Sequence, residues 1–215
     1  LPVYGHHNAV NALAAAGTAW MLGIPGDAVQ RGLASFHGAG RRLEFKGNVN
    51  GADIYDDYAH HPGELEATID AVRTMGYKRV IFAFQPHTYT RTHALFHEFV
   101  EQLKKPDVVL LAEIYAARER NILGISSKDL ANQIPDAIYC ETLPKVTEVL
   151  RRIIRPGDMV TPLHPNYSKK TFIIKAFSPY IEIFFQQRFV HVTFKFNAPV
   201  KVCQPDGIVV SREPL

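Results

Sequence analysis

The strongest constraint on how this chain can fold is a rhythm. Short apolar runs at residues 80–84, 108–112 and 137–140 alternate with helical stretches at 64–75, 93–103, 127–134 and 146–154. The runs are nearly continuous in apolar residues, Val80 to Phe84 and Val108 to Ala112 above all, rather than alternating with polar ones. Strands read that way when a sheet is covered on both faces, which is the situation of a parallel sheet. Strand-helix-strand punctuation therefore predicts an α/β fold with a mostly parallel, Rossmann-like sheet.

A different signal precedes it. Asn50-Gly51 readily takes the positive φ angles of a two-residue hairpin turn, and it lies between Leu43-Glu44-Phe45-Lys46 and Ala52-Asp53-Ile54-Tyr55. Folding there brings Arg41 and Arg42 back toward Asp56-Asp57-Tyr58-Ala59-His60-His61-Pro62, so that a cation, paired carboxylates and two imidazoles share one cleft. Guanidinium suits phosphate, carboxylate a ribose diol and imidazole an anionic substrate, a set fitted to a nucleotide-using site. The structural alternative is an Arg–Asp ion pair that closes a domain edge.

Upstream, residues 7–22 are apolar all round, with Val10, Leu13, Ala14, Ala15, Trp20 and Met21, which predicts a buried helix ending at Gly23. A second helix is expected over 25–36, with Ala28, Val29, Leu33 and Phe36 turned inward, followed by a Gly38-Ala39-Gly40 linker. Past Gly157-Asp158-Met159-Val160 the pattern breaks, leaving residues 161–215 as an atypical tail. One reading is an extra β element, supported by alternation over 189–196; the other, which is favoured, is a frame change whose product was never selected to fold.

At 215 residues and 47% hydrophobic content the chain can bury a proper core. Its net charge of +3 comes from dispersed Lys and Arg, which argues against a nucleic-acid surface but is compatible with a phosphorylated small molecule. Cys140 and Cys203 match no metal spacing and suit free thiols in a reducing cytoplasm. No run approaches the roughly 20 apolar residues of a membrane span, so membrane insertion is not expected.

Five segments in order carry a family resemblance: Gly-His-His-Asn-Ala-Val-Asn-Ala (5–12), Arg41-Arg42, Asp-Asp-Tyr-Ala-His-His-Pro (56–62), Phe-Gln-Pro-His-Thr-Tyr-Thr-Arg-Thr (84–92) and Ile-Tyr-Ala-Ala-Arg-Glu (114–119). Together they resemble the Mur ligases. The resemblance implies that 40–160 is a C-terminal Mur ligase domain and that 1–39 are the last helices of a central ATP-binding domain. It implies an ATP-dependent carbon–nitrogen ligase of cytoplasmic peptidoglycan precursor synthesis, and hence of cell-wall growth and division. The Phe84-Gln85-Pro86-His87 segment points to the member that joins L-alanine to the lactyl carboxylate of UDP-N-acetylmuramate, which attacks the γ-phosphate of ATP before the amine displaces phosphate. No Gly-x-x-x-x-Gly-Lys-[Ser/Thr] loop occurs in the chain. By analogy that loop, the magnesium ligands and the sugar-nucleotide site belong to remaining domains, and this fragment is expected to be inactive alone.

The resemblance also implies roles by position. Asn8 and Asn11 contact the adenine side of ATP, Arg42 its phosphates and Asp57 its ribose. Tyr58 and His60 face the muramoyl and alanine side, with His60 and Arg42 as the catalytic pair, and His87 and Arg91 hold the substrate carboxylate. Thr88 stands where family members often have a second arginine. Read from the residues alone, Asn8 is more readily a helix cap. His93 and His97, at i and i+4 of one expected helix, have a metal spacing but more simply form an exposed face. Arg118 and Glu119 receive no role. Two other readings stay open: a non-catalytic nucleotide-binding module, and a metal-dependent hydrolase built on Asp56, Asp57, His60 and His61.

Overall fold

The computed structural model describes residues 1–163. Helices α1 (His6–Met21) and α2 (Gly26–Ala34) come first, then the hairpin β1 (Glu44–Val49) and β2 (Ala52–Asp56). There follow α3 (Pro62–Arg73), β3 (Arg79–Phe84), α4 (Tyr89–Ala94), α5 (Phe96–Leu103), β4 (Val108–Ala112), α6 (Ser127–Ala131), β5 (Ile138–Cys140), α7 (Leu143–Ile153) and β6 (Asp158–Leu163). The sheet order is β1-β2-β6-β3-β4-β5, parallel throughout except for β1.

Connection direction decides which face each helix covers. From β2 through β5 the chain moves one way across the sheet, and α7 then returns it to β6. Because parallel crossovers are right-handed, the outgoing helices fall on one face and the returning helix on the other. Strand residues divide accordingly. Phe82, Phe84, Val109, Leu111 and Leu163 pack with Leu65, Ile69, Phe99, Leu103 and Leu130 of α3, α5 and α6. Their neighbours Ile81, Ala83, Leu110, Ala112 and Val160 pack with Leu143, Val146 and Leu150 of α7. Two-sided burial is thus why these strands read as unbroken apolar runs.

The hairpin forms where Asn50-Gly51 requires it, with φ of 51° and 83° at the two turn residues. A Cβ on Gly51 would lie 2.8–2.9 Å from Pro156, and the Gly51 carbonyl accepts the Gly157 N–H at 2.7 Å. Gly51→Ala should therefore cost about 1–2 kcal/mol from the left-handed backbone alone, and more from the contact with Pro156. Urea denaturation checks this; an unchanged midpoint would refute the close approach.

Four expectations change. The first helix is not buried: Val10, Leu13, Trp20 and Met21 are all exposed, Trp20 by 80%. A helix apolar all round needs cover on every side, and among the described residues α2 and α3 are its main neighbours. On α2, Ala28, Val29 and Leu33 are half-buried as expected, but Phe36 is exposed. The helix expected over 93–103 breaks at Leu95 (φ −114°, ψ 28°), so His93 ends α4 and His97 belongs to α5. They are not one i,i+4 pair. Finally, β6 continues beyond the boundary drawn at 160, with Thr161 and Leu163 fully buried. The remaining tail and its 189–196 alternation lie outside the described residues.

Candidate active site

Because β2, β6, β3 and β4 are parallel, their carboxyl ends share one edge of the sheet. Since β1 is antiparallel to β2, the residues leading into β1 reach that edge as well. Open α/β sheets place ligands in this crevice. Backbone bonds fix the junction: the Tyr58 N–H donates to the Arg41 carbonyl at 2.9 Å, and the Leu43 N–H donates to the Asp57 carboxylate at 2.9 Å.

Neighbouring arginines have opposite fates. Arg41 is 6% exposed, with its guanidinium 4.2 Å over the Tyr58 ring and 3.8 Å from Asp56. Here the ion pair proposed as the structural alternative exists, on the first arginine. The Arg42 side chain is 46% exposed and donates to Glu64 at 3.0 Å. Between them lies a depression of about 270 Å³ lined by Gly40, Arg41, Arg42 and Tyr58. The accessible Arg42 guanidinium at its rim fits an anionic ligand.

Asp56 and Asp57 are both buried, contrary to simple alternation along an extended strand end. The reason is that the chain turns at Asp57: its carboxylate accepts the Leu43 N–H and, at 2.7 Å, the Ala59 N–H. Burial pushes the Asp57 carboxyl above its ordinary range, against the pull of those two amides and Arg42. Two acceptor positions filled leave others on the same carboxylate for a ligand hydroxyl.

His60 Nδ1 lies 2.9 Å from the Tyr58 carbonyl and 3.2 Å from Glu64, whose carboxylate also accepts the His60 N–H at 3.0 Å. Burial pushes the Glu64 carboxyl up, but the His60 amide and Arg42 outweigh it and the net shift is downward. Glu64 therefore stands ionised between Arg42 and His60. His61 instead caps α3, accepting the Gly63 N–H at 3.2 Å, as its position before Pro62 suggests.

At the end of β3, His87 meets this group. Its ring is 6.2 Å from that of His60, edge-on, and is stacked on Tyr115 at 5.6 Å. Arg91 donates to the His87 carbonyl at 3.0 Å, and its Nη1 is 3.5 Å from His87 Nδ1. Burial lowers the His87 pKa, helped by Arg91 and His60 and opposed by Glu119.

Arg42, Asp57, Tyr58, His60, His87 and Arg91 are thus gathered at one edge. Asn8 and Asn11 are not. The start of α1 lies against Ala71, late in α3, and α3 runs away from the strand ends. Nor does Asn8 cap its helix: the N-cap is Gly5, and the Asn8 amide donates to the Tyr4 carbonyl at 2.6 Å. Among the described residues no three His, Cys, Asp or Glu side chains converge to hold a metal. The set suggested for a hydrolase is divided, with Asp56 on Arg41, Asp57 on two amides and His61 in a cap. Sequence reasoning missed Glu64, whose signal was an acidic residue in the first turn after His61-Pro62, and Tyr115, which only the third dimension sets on His87.

A mostly parallel sheet with an antiparallel hairpin at one edge and an ionic group outside its strand ends defines an open-sheet α/β domain. Residues 41–161 match the family described as "Mur ligase, glutamate ligase domain", and the chain belongs to the Mur ligase family. It resembles the C-terminal part of UDP-N-acetylmuramate–L-alanine ligases: it is 43% identical over 164 residues to that of Agathobacter rectalis, which covers 74% of this chain and 36% of the relative. With the enzyme of Methylococcus capsulatus the identity is 42% over 169 residues, at the same coverage of 74% and 36%. The chain thus spans little more than a third of these relatives. The crystal structure of UDP-N-acetylmuramate-alanine ligase from Thermotoga maritima shares the fold with a TM-score of 0.66 at 22% identity, over 81% of this chain and 37% of that one. A murein peptide ligase from Psychrobacter arcticus does so at 0.59 and 19%, over 80% and 37%.

Proposed function

We propose that this chain is the C-terminal part of an ATP-dependent ligase that joins L-alanine to UDP-N-acetylmuramate in cytoplasmic peptidoglycan precursor synthesis. The observation that carries this reading is the convergence of Arg42, Asp57, His60, His87 and Arg91, from three separated motifs, on one sheet edge beside a guanidinium-lined depression. Relatives at 43% and 42% identity that bear this name support it.

When bound, ATP supplies the phosphoryl group that activates the carboxylate. Arg42, exposed and steadied by Glu64, faces its phosphates. Asp57, fixed by two amides, accepts from a ribose hydroxyl. Tyr58 and His60 line the muramoyl and alanine side, and His87 with Arg91 binds the amino-acid carboxylate. Asn8 and Asn11 belong with residues 1–39 to a central ATP-binding domain and serve the adenine side. The magnesium ligands and phosphate loop lie on the remaining Mur ligase domains. Closure of those domains over this edge excludes water from the activated carboxylate.

The experiment is reconstitution. Alone, the chain should release no L-alanine-dependent phosphate from ATP, magnesium and UDP-N-acetylmuramate. Joined to the N-terminal portion of the Agathobacter rectalis relative, it should. Turnover by the chain alone would sink the division of labour, and a joined enzyme that binds ATP yet never responds to L-alanine would favour a non-catalytic nucleotide-binding module.

A further inference from the structure

We propose that Glu119 is a positioning residue whose carboxylate latches the loop between β4 and α6 onto the start of α4, and so holds Tyr115 against His87. That this matters for the amino acid rests on the ligase reading; the latch itself does not.

The loop spans residues 113–126 and is tied at both ends. Glu113, at its start, accepts from the Ile114 N–H at 2.8 Å, the Ser127 N–H at 3.0 Å and the Tyr139 hydroxyl at 2.7 Å. Toward its end, Asn121 and Ile125 close a turn by two bonds of 2.9 and 3.2 Å. The middle, which carries Tyr115, includes Ala117 at a positive φ of 54°, a conformation that needs outside support. That support is Glu119. Its carboxylate accepts from the Thr88 hydroxyl at 2.6 Å, the Thr90 hydroxyl and the Thr90 N–H at 3.0 Å. Those donors hold its pKa down to about 2, so the latch is charged at any physiological pH. The Tyr115 N–H donates to the Pro86 carbonyl at 2.8 Å, which alone sets the backbone register but not the ring.

The consequence falls on His87. Its neighbours are Tyr115 from the loop, His60 from the β2 end, Arg91 from α4 and the Glu119 charge. Without the latch Tyr115 would leave the imidazole and water would enter. The group most affected is one placed at the substrate carboxylate.

The test is a pH titration of the His87 ring by NMR in the 215-residue chain. Glu119→Ala removes a charge that raises the His87 pKa but also exposes the ring, and because burial is the largest cause of the depression the net movement should be upward, toward the ordinary 6.5. It should also abolish the ring-current shift from Tyr115. Glu119→Gln keeps an acceptor for the threonine hydroxyls but loses a charge that favours protonated His87. In it the pKa should move down instead, with the ring-current shift retained. Thr88→Val, which removes one donor without disturbing Glu119 itself, should weaken the ring-current shift. If Glu119→Ala and Thr88→Val both leave the His87 titration and ring-current shift as in the parent chain, the latch is refuted. In the joined enzyme, Glu119→Ala should raise KM for L-alanine on the order of tenfold with kcat little changed. A displaced His87 with KM unaltered would keep the latch and overturn the assignment of His87 to the amino acid.

Discussion

Arg42→Ala, placed in the joined ligase, is expected to lower kcat by about 10²- to 10³-fold while KM for UDP-N-acetylmuramate stays nearly constant. The argument rests on where the two arginines end up. Arg41 is sealed under Tyr58 beside Asp56, so its charge is committed to the fold. Arg42 keeps 46% of its side chain exposed, with an exchangeable partner in Glu64 at 3.0 Å. A guanidinium that faces developing phosphate charge contributes most in the transition state, which lowers kcat when it is lost. Steady-state kinetics decides: an effect confined to a Michaelis constant would contradict the role. Since the partly exposed Arg42–Glu64 pair is screened by solvent, the same substitution should move stability by less than about 1 kcal/mol.

Asp56→Ala should do the opposite and destabilise the chain by about 1–3 kcal/mol, because it removes the carboxylate 3.8 Å from the buried Arg41 guanidinium. Urea denaturation is the measurement, and a loss below about 1 kcal/mol would mean that the pair is not holding the edge together. Asp57→Asn tests the neighbouring position. Its amide cannot accept from both Leu43 and Ala59, so a cost of about 1–3 kcal/mol is expected. In the joined enzyme it should raise KM for ATP more than KM for 2′-deoxy-ATP, as befits a ribose contact; a ribose-dependent loss in Asp56→Asn instead would move the site reading by one residue. The pH dependence has a definite sign. Burial raises the folded-state pKa of Asp57 above 3.8, so its protonated form is favoured by folding. Stability from this group is greatest below 3.8 and declines as pH rises through the folded pKa, a decline that Asp57→Asn should remove.

Much of the architecture was legible because it depends on local rules. Asn50-Gly51 meets the backbone demand of a two-residue turn whatever surrounds it, and the hairpin formed there. Val80 to Phe84 and Val108 to Ala112 announced strands covered on both sides, and each divides its residues between two cores. Where local pattern met a tertiary question it was less informative. The first helix reads as buried because it is apolar on every side, yet apolarity states only that cover is wanted, and α1 shows Trp20 at 80% exposure. The spacing of His93 and His97 is helical only if one helix continues through Leu95, and it does not.

By itself, the sequence determined the fold class, the hairpin and the set of chemical groups available at the strand ends, since periodicity and turn chemistry are written in neighbouring residues. The tertiary structure alone decided which of two arginines is buried, that Asp56 serves the fold while Asp57 holds two amides, and that Glu119 binds Thr88 and Thr90. Those choices depend on contacts between segments brought together by parallel crossovers. Burial and partner geometry are properties of the assembled edge, and no local stretch of chain contains them.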